Sequence, residues 1–141
     1  MKKPPTSLQI LEEIYKRYYG EFTRYSRESP TRKTKVYVPI DIRAIAEHFD
    51  VDGDIIHGRL YYHLDSKFSI TKPDNPVVHF FLFQENSDKP HNVQFPILAS
   101  AIAELREERD KYLWGIRLAA ASFVVSIIAI LIALVGGCDG L

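Results

Sequence analysis

The sequence predicts an α+β fold in which one small domain of short helices and strands is followed by one long helix that continues into a single transmembrane span. Three observations carry this. Residues 118 to 138 form 21 consecutive positions without a charge, rich in Ile, Leu, Val and Ala. Upstream of them, two short segments with apolar residues at helical spacing each start next to an aspartate able to cap a helix. Between those segments and the tail lie runs of β-branched and aromatic residues, separated by turns rich in Pro, Asn and Asp.

A chain of 141 residues has room for one compact domain plus an appendage. The predicted divisions are a domain over 1–96, a juxtamembrane amphipathic helix over 97–117, the span over 118–138 and a short exterior tail over 139–141. Residues 1–96 hold 14 Lys+Arg against 13 Asp+Glu, so no global basic field draws the domain to nucleic acid. Cys138 is the single cysteine. It has no intramolecular disulfide partner and no second thiolate for a zinc site. The start, "MKKPPTSLQILEE", lacks the apolar core of a secretory signal.

At helical rise the uncharged run reaches roughly 30 Å, the thickness of a bilayer's hydrocarbon layer. A domain this small could hardly cover such a helix on all sides. Tyr112 and Trp114 stand at the interfacial level, and Arg117 can extend its guanidinium toward head groups. Arg106, Arg109, Lys111 and Arg117 all precede the run, so the positive-inside rule places the N-terminal domain in the cytoplasm and the C-terminus on the opposite side. This layout resembles that of tail-anchored proteins. Small residues recur four apart at Gly115, Ala119, Ser122, Ser126, Ala129, Ala133 and Gly137, a spacing that suits either a helix–helix seam or a helix facing lipid alone. No charge lies inside the run to line an ion path.

Upstream, Leu98, Ile102, Leu105, Tyr112 and Ile116 follow a heptad-like stripe that Arg109 interrupts. Pro96 can open this helix, which is expected from about Ile97 to Val135. Leu98, Ile102 and Leu105 either pack onto the domain or form a short coiled coil.

Ser7 is the expected N-cap of the first helix, with Leu8, Leu11, Ile14, Tyr15 and Tyr18 on one face and Gly20 as its stop. The loop that follows is basic: seven Lys and Arg from Lys16 to Lys35 are opposed by Glu21 and Glu28. "VYVP" reads as a strand. Asp41 then caps a helix facing inward with Ile42, Ile45, Ala46 and Phe49. After a turn containing Gly53, Asp54 caps a second helix with Ile56, Leu60 and Leu64 inward. Strands follow at "FSIT", "VVHFFLFQ" and "HNVQF". The middle one is apolar on both faces, Val78, Phe80 and Leu82 against Val77, Phe81 and Phe83. Its second face needs cover from the juxtamembrane helix, or else Phe81 and Phe83 form a partner surface.

Two capped helices joined by a tight turn and followed by strands resemble the winged helix-turn-helix superfamily over residues 7–95. The resemblance is one of element order and apolar pattern, without a specific motif. It implies that His57, Arg59, Tyr62 and His63 face outward on the second helix. Lys67 would lie at that helix's end and Lys72 in the wing turn, ready for a nucleic acid or protein partner. Arg24, Arg27, Arg32, Lys33 and Lys35 in the basic loop could add contacts to phosphates, of DNA or of lipid head groups.

"DVDGD" fails as a calcium loop, because Gly53 falls at the fourth position and Tyr61 at the twelfth. The five histidines are dispersed, and no nucleophile, phosphate-loop or dinucleotide pattern occurs. The sequence therefore leads us to expect neither enzyme activity, cofactor, metal nor small-molecule substrate. The expected function is that of a single-pass membrane protein whose domain binds a macromolecular partner at the cytoplasmic membrane face, a protein or a second copy of the chain. The alternatives are a membrane-tethered DNA-binding regulator and an oligomerising membrane effector.

Overall fold

The structure is a computed structural model and describes residues 2–138, without the side chain of Cys138. The exterior tail 139–141 and the chemistry of Cys138 lie outside the described residues. Two compact units divide the chain, Met1–Glu104 and Leu105–Leu141. It is a mixed helix and sheet protein with a long apolar C-terminal helix.

Helix α1 (Ser7–Thr23) is capped by Thr6. The Gln9 N–H donates to Thr6 Oγ1 at 3.2 Å and the Thr6 N–H donates to Gln9 Oε1 at 2.8 Å, a reciprocal capping box. Ser7, the expected cap, is instead the first helical residue. Gly20 does not stop the helix, because its carbonyl accepts the Arg24 N–H at 3.1 Å and the turn closes beyond it. The buried face is Ile10, Leu11 and Ile14, with Leu8 half-buried.

Strand β1 (Tyr37–Pro39) leads to α2 (Ile42–Phe49), which Asp41 caps through the N–H groups of Arg43 at 2.9 Å and Ala44 at 3.2 Å. Ile42, Ile45 and Ala46 are buried. Where the sequence pointed to Gly53 as the turn residue, the left-handed position is Asp50, at φ 52° and ψ 51°. With Asp50 so placed, the Val51 N–H reaches back to the Ala46 carbonyl at 3.1 Å and closes the helix end.

Gly53 instead begins α3 (Gly53–Gly58), which runs through a π-helical segment, Arg59–Leu64, into α4 (Asp65–Phe68). Asp52, rather than Asp54, is the cap, accepting the Asp54 N–H at 2.8 Å. Asp54 sits in the first turn, where a negative charge still suits the helix dipole. The π segment has a packing reason. Ile56, Leu60 and Leu64 are all buried and are spaced by four, a spacing that drifts about 40° per step on an α-helix. Wider i→i+5 turns reverse that drift and keep the three side chains on one line.

Strands β2 (Ile70–Lys72) and β3 (Asn75–Val78) form a separate two-stranded hairpin, while β4 (Phe81–Phe83) and β5 (His91–Gln94) join β1 in an antiparallel sheet of order β1-β5-β4. The expected single strand "VVHFFLFQ" is thus broken at His79 and Phe80, and its parts belong to two sheets. Asp65 and Ser69 hold the break. Asp65 Oδ1 accepts the Phe81 N–H at 2.9 Å and the Ser69 hydroxyl at 2.8 Å. Ser69 Oγ in turn accepts the Phe80 N–H at 3.1 Å. Asp65 Oδ2 lies 3.1 Å from His79 Nδ1, and the Tyr37 hydroxyl donates to the His79 carbonyl at 2.9 Å. In a regular strand, consecutive residues point to opposite faces. Here the break lets both Phe80 and Phe81 be fully buried, while Val77, Val78 and Phe83 stay exposed.

Helix α5 (Phe95–Cys138) follows β5 without a loop. The Phe95 N–H donates to the Val36 carbonyl at 2.8 Å, and the ring stacks on Tyr15 at 5.3 Å and Phe22 at 4.7 Å. Within the first unit, α5 buries Phe95, Ile97, Leu98, Ala101 and Ile102, so the apolar stripe there packs on the domain. In the second unit, residues 106–137 are all exposed.

Asp65→Ala leaves two donors of the break without their charged acceptor, and we expect it to cost about 2–4 kcal/mol in the first unit's stability. Urea unfolding of the full chain in detergent, followed by tyrosine and tryptophan fluorescence, checks this, with Asp74→Ala on the β2–β3 turn as the unaffected comparison.

Candidate functional site

A groove of about 870 Å³ opens in the first unit where α1, α2, α3, β1 and the turn between β4 and β5 meet. Each wall follows from local sequence. Asp41 and Asp52 cap α2 and α3, which places the first turns of both helices, with Ile42, Arg43, Gly53 and Asp54, along one side. Tyr18 and Glu21 come from the last turns of α1, and Pro39 and Ile40 from the end of β1. The turn from Gln84 to Pro90 closes the far side with Asp88, Lys89 and Pro90, tied by the Gln84 N–H to the Pro90 carbonyl at 2.8 Å.

The lining is apolar at Pro39, Ile40, Ile42, Phe83 and Pro90, and carries the carboxylates of Glu21, Asp41, Asp54 and Asp88 against the cations Arg43 and Lys89. Asp41 is partly committed to its capping bonds. Its own N–H donates to the Tyr18 hydroxyl oxygen at 2.8 Å. Burial is the main cause that pushes the Tyr18 hydroxyl pKa up, so the phenol stays protonated and neutral there.

Two histidines meet in the groove. His57 and His91 have ring centroids 5.4 Å apart, and both contact Phe81 and Phe83. Tyr61 stacks on His57 at 5.5 Å. Burial, then the nearby His57, lower the His91 pKa from its ordinary value, while Asp41 opposes the shift. Reading the histidines as dispersed missed this pair, which lies 34 positions apart in the chain and carries no local signal. Among the described residues, no group of three or more His, Cys, Asp or Glu side chains is arranged to hold a metal.

The residues singled out from sequence fall in different places. His57 is half-buried against the sheet, contrary to the outward position implied for it, because its ring packs on the edges of Phe81, Phe83 and His91. Phe81 is 1% exposed and is no partner surface, its backbone being held by Asp65; Phe83 is 43% exposed at the groove's edge. Arg59 is half-buried, whereas Tyr62, His63 and Lys67 are exposed. Lys67 lies over the Phe68 ring. Lys72 is on β2 itself, in the separate hairpin, and not in a turn of the three-stranded sheet.

In the basic loop, Arg24, Arg27, Lys33 and Lys35 are exposed, with Lys35 over the Phe22 ring at 5.1 Å. Arg32 is turned inward instead, donating to the carbonyls of Glu21 at 3.3 Å and Lys35 at 2.8 Å and covering Tyr25. Along α5, Gly115, Ala119, Ser122, Ser126, Ala129, Ala133 and Gly137 are exposed, and the Ser126 hydroxyl donates to the Ser122 carbonyl within its own helix at 2.9 Å.

Comparison with protein-family models, with curated proteins and with solved structures finds no match to this chain.

The His91 shift carries a pH dependence. A folded-state pKa below the unfolded value means that the unfolded chain binds the proton more readily, so this stability is present above about pH 6.5 and is lost as pH falls through the folded value. We expect the urea midpoint of the full chain in detergent to fall on acidification from pH 7.5, and His91→Phe to make that fall shallower. An equal slope in the variant would contradict the assignment.

Proposed function

We propose that this chain is a single-pass membrane protein without enzymatic activity, held by α5, whose first unit binds a protein partner at the cytoplasmic face of the membrane. The observation that carries the membrane part is the exposure of α5. Its span from Phe95 to Gly137 includes a window of mean hydropathy 2.9 with none of that window buried within the chain. Twenty or so exposed apolar side chains in water would forfeit the burial that stabilises folded proteins, at about 25 cal/mol per Å², whereas a bilayer supplies the missing apolar surroundings. The preceding turns are charged and water-exposed, with Lys111 Nζ 2.8 Å from Glu107, a pattern suited to a helix leaving the membrane. Basic residues on that side support a cytoplasmic first unit.

For the partner, the surface chemistry favours protein. Ile55, Tyr62 and Phe83 are exposed apolar or aromatic side chains on α3, the π segment and β4. Aromatic and apolar groups of this kind supply contact area in protein interfaces. We also read the arrangement as winged-helix-like, with the turn Gln84–Pro90 between β4 and β5 in the wing position and the β2–β3 hairpin as an addition. The DNA-binding alternative has less support, because Arg59 is half-buried and Asp54 and Asp88 stand in the groove beside that helix.

The full chain should float with phospholipid vesicles and resist extraction at alkaline pH. Replacing both Ile128 and Leu131 with Arg should release it, since each arginine at the centre of a span costs about 2.5–3.5 kcal/mol by insertion scales. Wild-type chain that stays in the aqueous fraction would overturn the membrane reading.

A further inference from the structure

Lys and Arg number 18, as do Asp and Glu, yet the two signs are segregated. Between Arg24 and Lys35 there are five cations and one carboxylate. Of these, Arg27 and Lys33 are exposed and make no ion pair among the described residues. The groove has the opposite excess, and the carboxylates of Glu21, Asp54 and Asp88 likewise have no ion-pair partner among the described residues.

The two features are neighbours. Glu21 lines the groove from α1, and the basic loop leaves the same helix three residues later, with Arg32 holding the Glu21 carbonyl. We propose that the groove receives the basic loop, residues 24–35, of a second copy of this chain, while its own loop enters that copy's groove. A two-fold axis sets residue i of one copy against j of the other and j against i, so adjacent complementary features are satisfied twice by one contact. Arg27 and Lys33 then meet Glu21, Asp54 and Asp88, and the loop's Pro30 lies against the apolar floor. Complementary charge of this type sets specificity and speeds encounter.

The pairing rests on the membrane reading to the extent that a shared bilayer raises the effective concentration of the two copies. Its test uses the full chain in detergent micelles, with association read by sedimentation and lysine-reactive crosslinking. The wild type should dimerise at low salt and weaken as salt rises from about 0.02 to 0.5 M, where screening shortens to a few ångströms. Arg27→Glu with Lys33→Glu, or Glu21→Lys with Asp54→Lys, should each weaken dimerisation by roughly tenfold or more, because like charges then face each other. Mixing the two variants should restore it, since each substituted loop position then meets a substituted groove position of opposite sign. Circular dichroism separates a folded monomer from an unfolded one. Three results would each overturn the pairing: a wild type that is monomeric at every salt concentration, dimers that persist in both variants, or folded variants that fail to pair when mixed. Vesicle flotation reads the membrane anchor separately, so a monomer that floats removes the pairing alone.

Discussion

The first unit depends on one carboxylate at the point where the chain cannot continue as a strand. Asp65 ends the π segment and offers both oxygens to the residues that reverse direction after β3. A run as apolar on both faces as "VVHFFLF" would, as one strand, expose half of its side chains or demand cover for them. Hydrogen bonds from Phe81 and Ser69 to Asp65, and from Phe80 to Ser69, break the run and send two consecutive phenylalanines into the core. The acceptor is charged and only partly exposed, so each bond is stronger than an exposed neutral one.

That break also shapes the groove. Once β4 is released from β3 it pairs with β5, and its last residue, Phe83, comes to rest beside His57 and His91. The sheet then carries straight into α5 at Phe95, whose ring sits among Tyr15, Tyr19 and Phe22. One polar cluster thus holds the start of β4 and one aromatic cluster the start of α5, while the groove is lined from the other end of the β4–β5 pair by Phe83 and His91.

What the sequence made legible was local. Asp41 as a cap, the inward faces of α2 and of Ile56, Leu60 and Leu64, and the uninterrupted helix through the apolar tail all follow from spacing over a few residues. Errors at Thr6 and Asp52 were shifts of one or two positions among residues that cap about equally well, where the backbone chooses. The left-handed residue fell on Asp50 although Gly53 was near, because an aspartate tolerates that conformation when two helix-end bonds reward it. The site was less legible, since it is made by contacts distant in sequence: Asp65 with Phe81, His57 with His91, Tyr18 with Asp41. No periodicity encodes those pairs. The burial of Phe81 could not be read from an alternating pattern that the chain itself interrupts.

Residues 106–137 of α5 are exposed, and most of those in its apolar run have large hydrophobic side chains. That lipid surrounds this run is tested most directly by spin labels placed singly along α5 in a Cys138→Ser background, at Leu113, Ile128 and Val135, in reconstituted vesicles. The label at Ile128 should be the most accessible to dissolved oxygen and the least accessible to a water-soluble nickel chelate, with Leu113 reversed. Equal access of the chelate to Leu113 and Ile128 would contradict it.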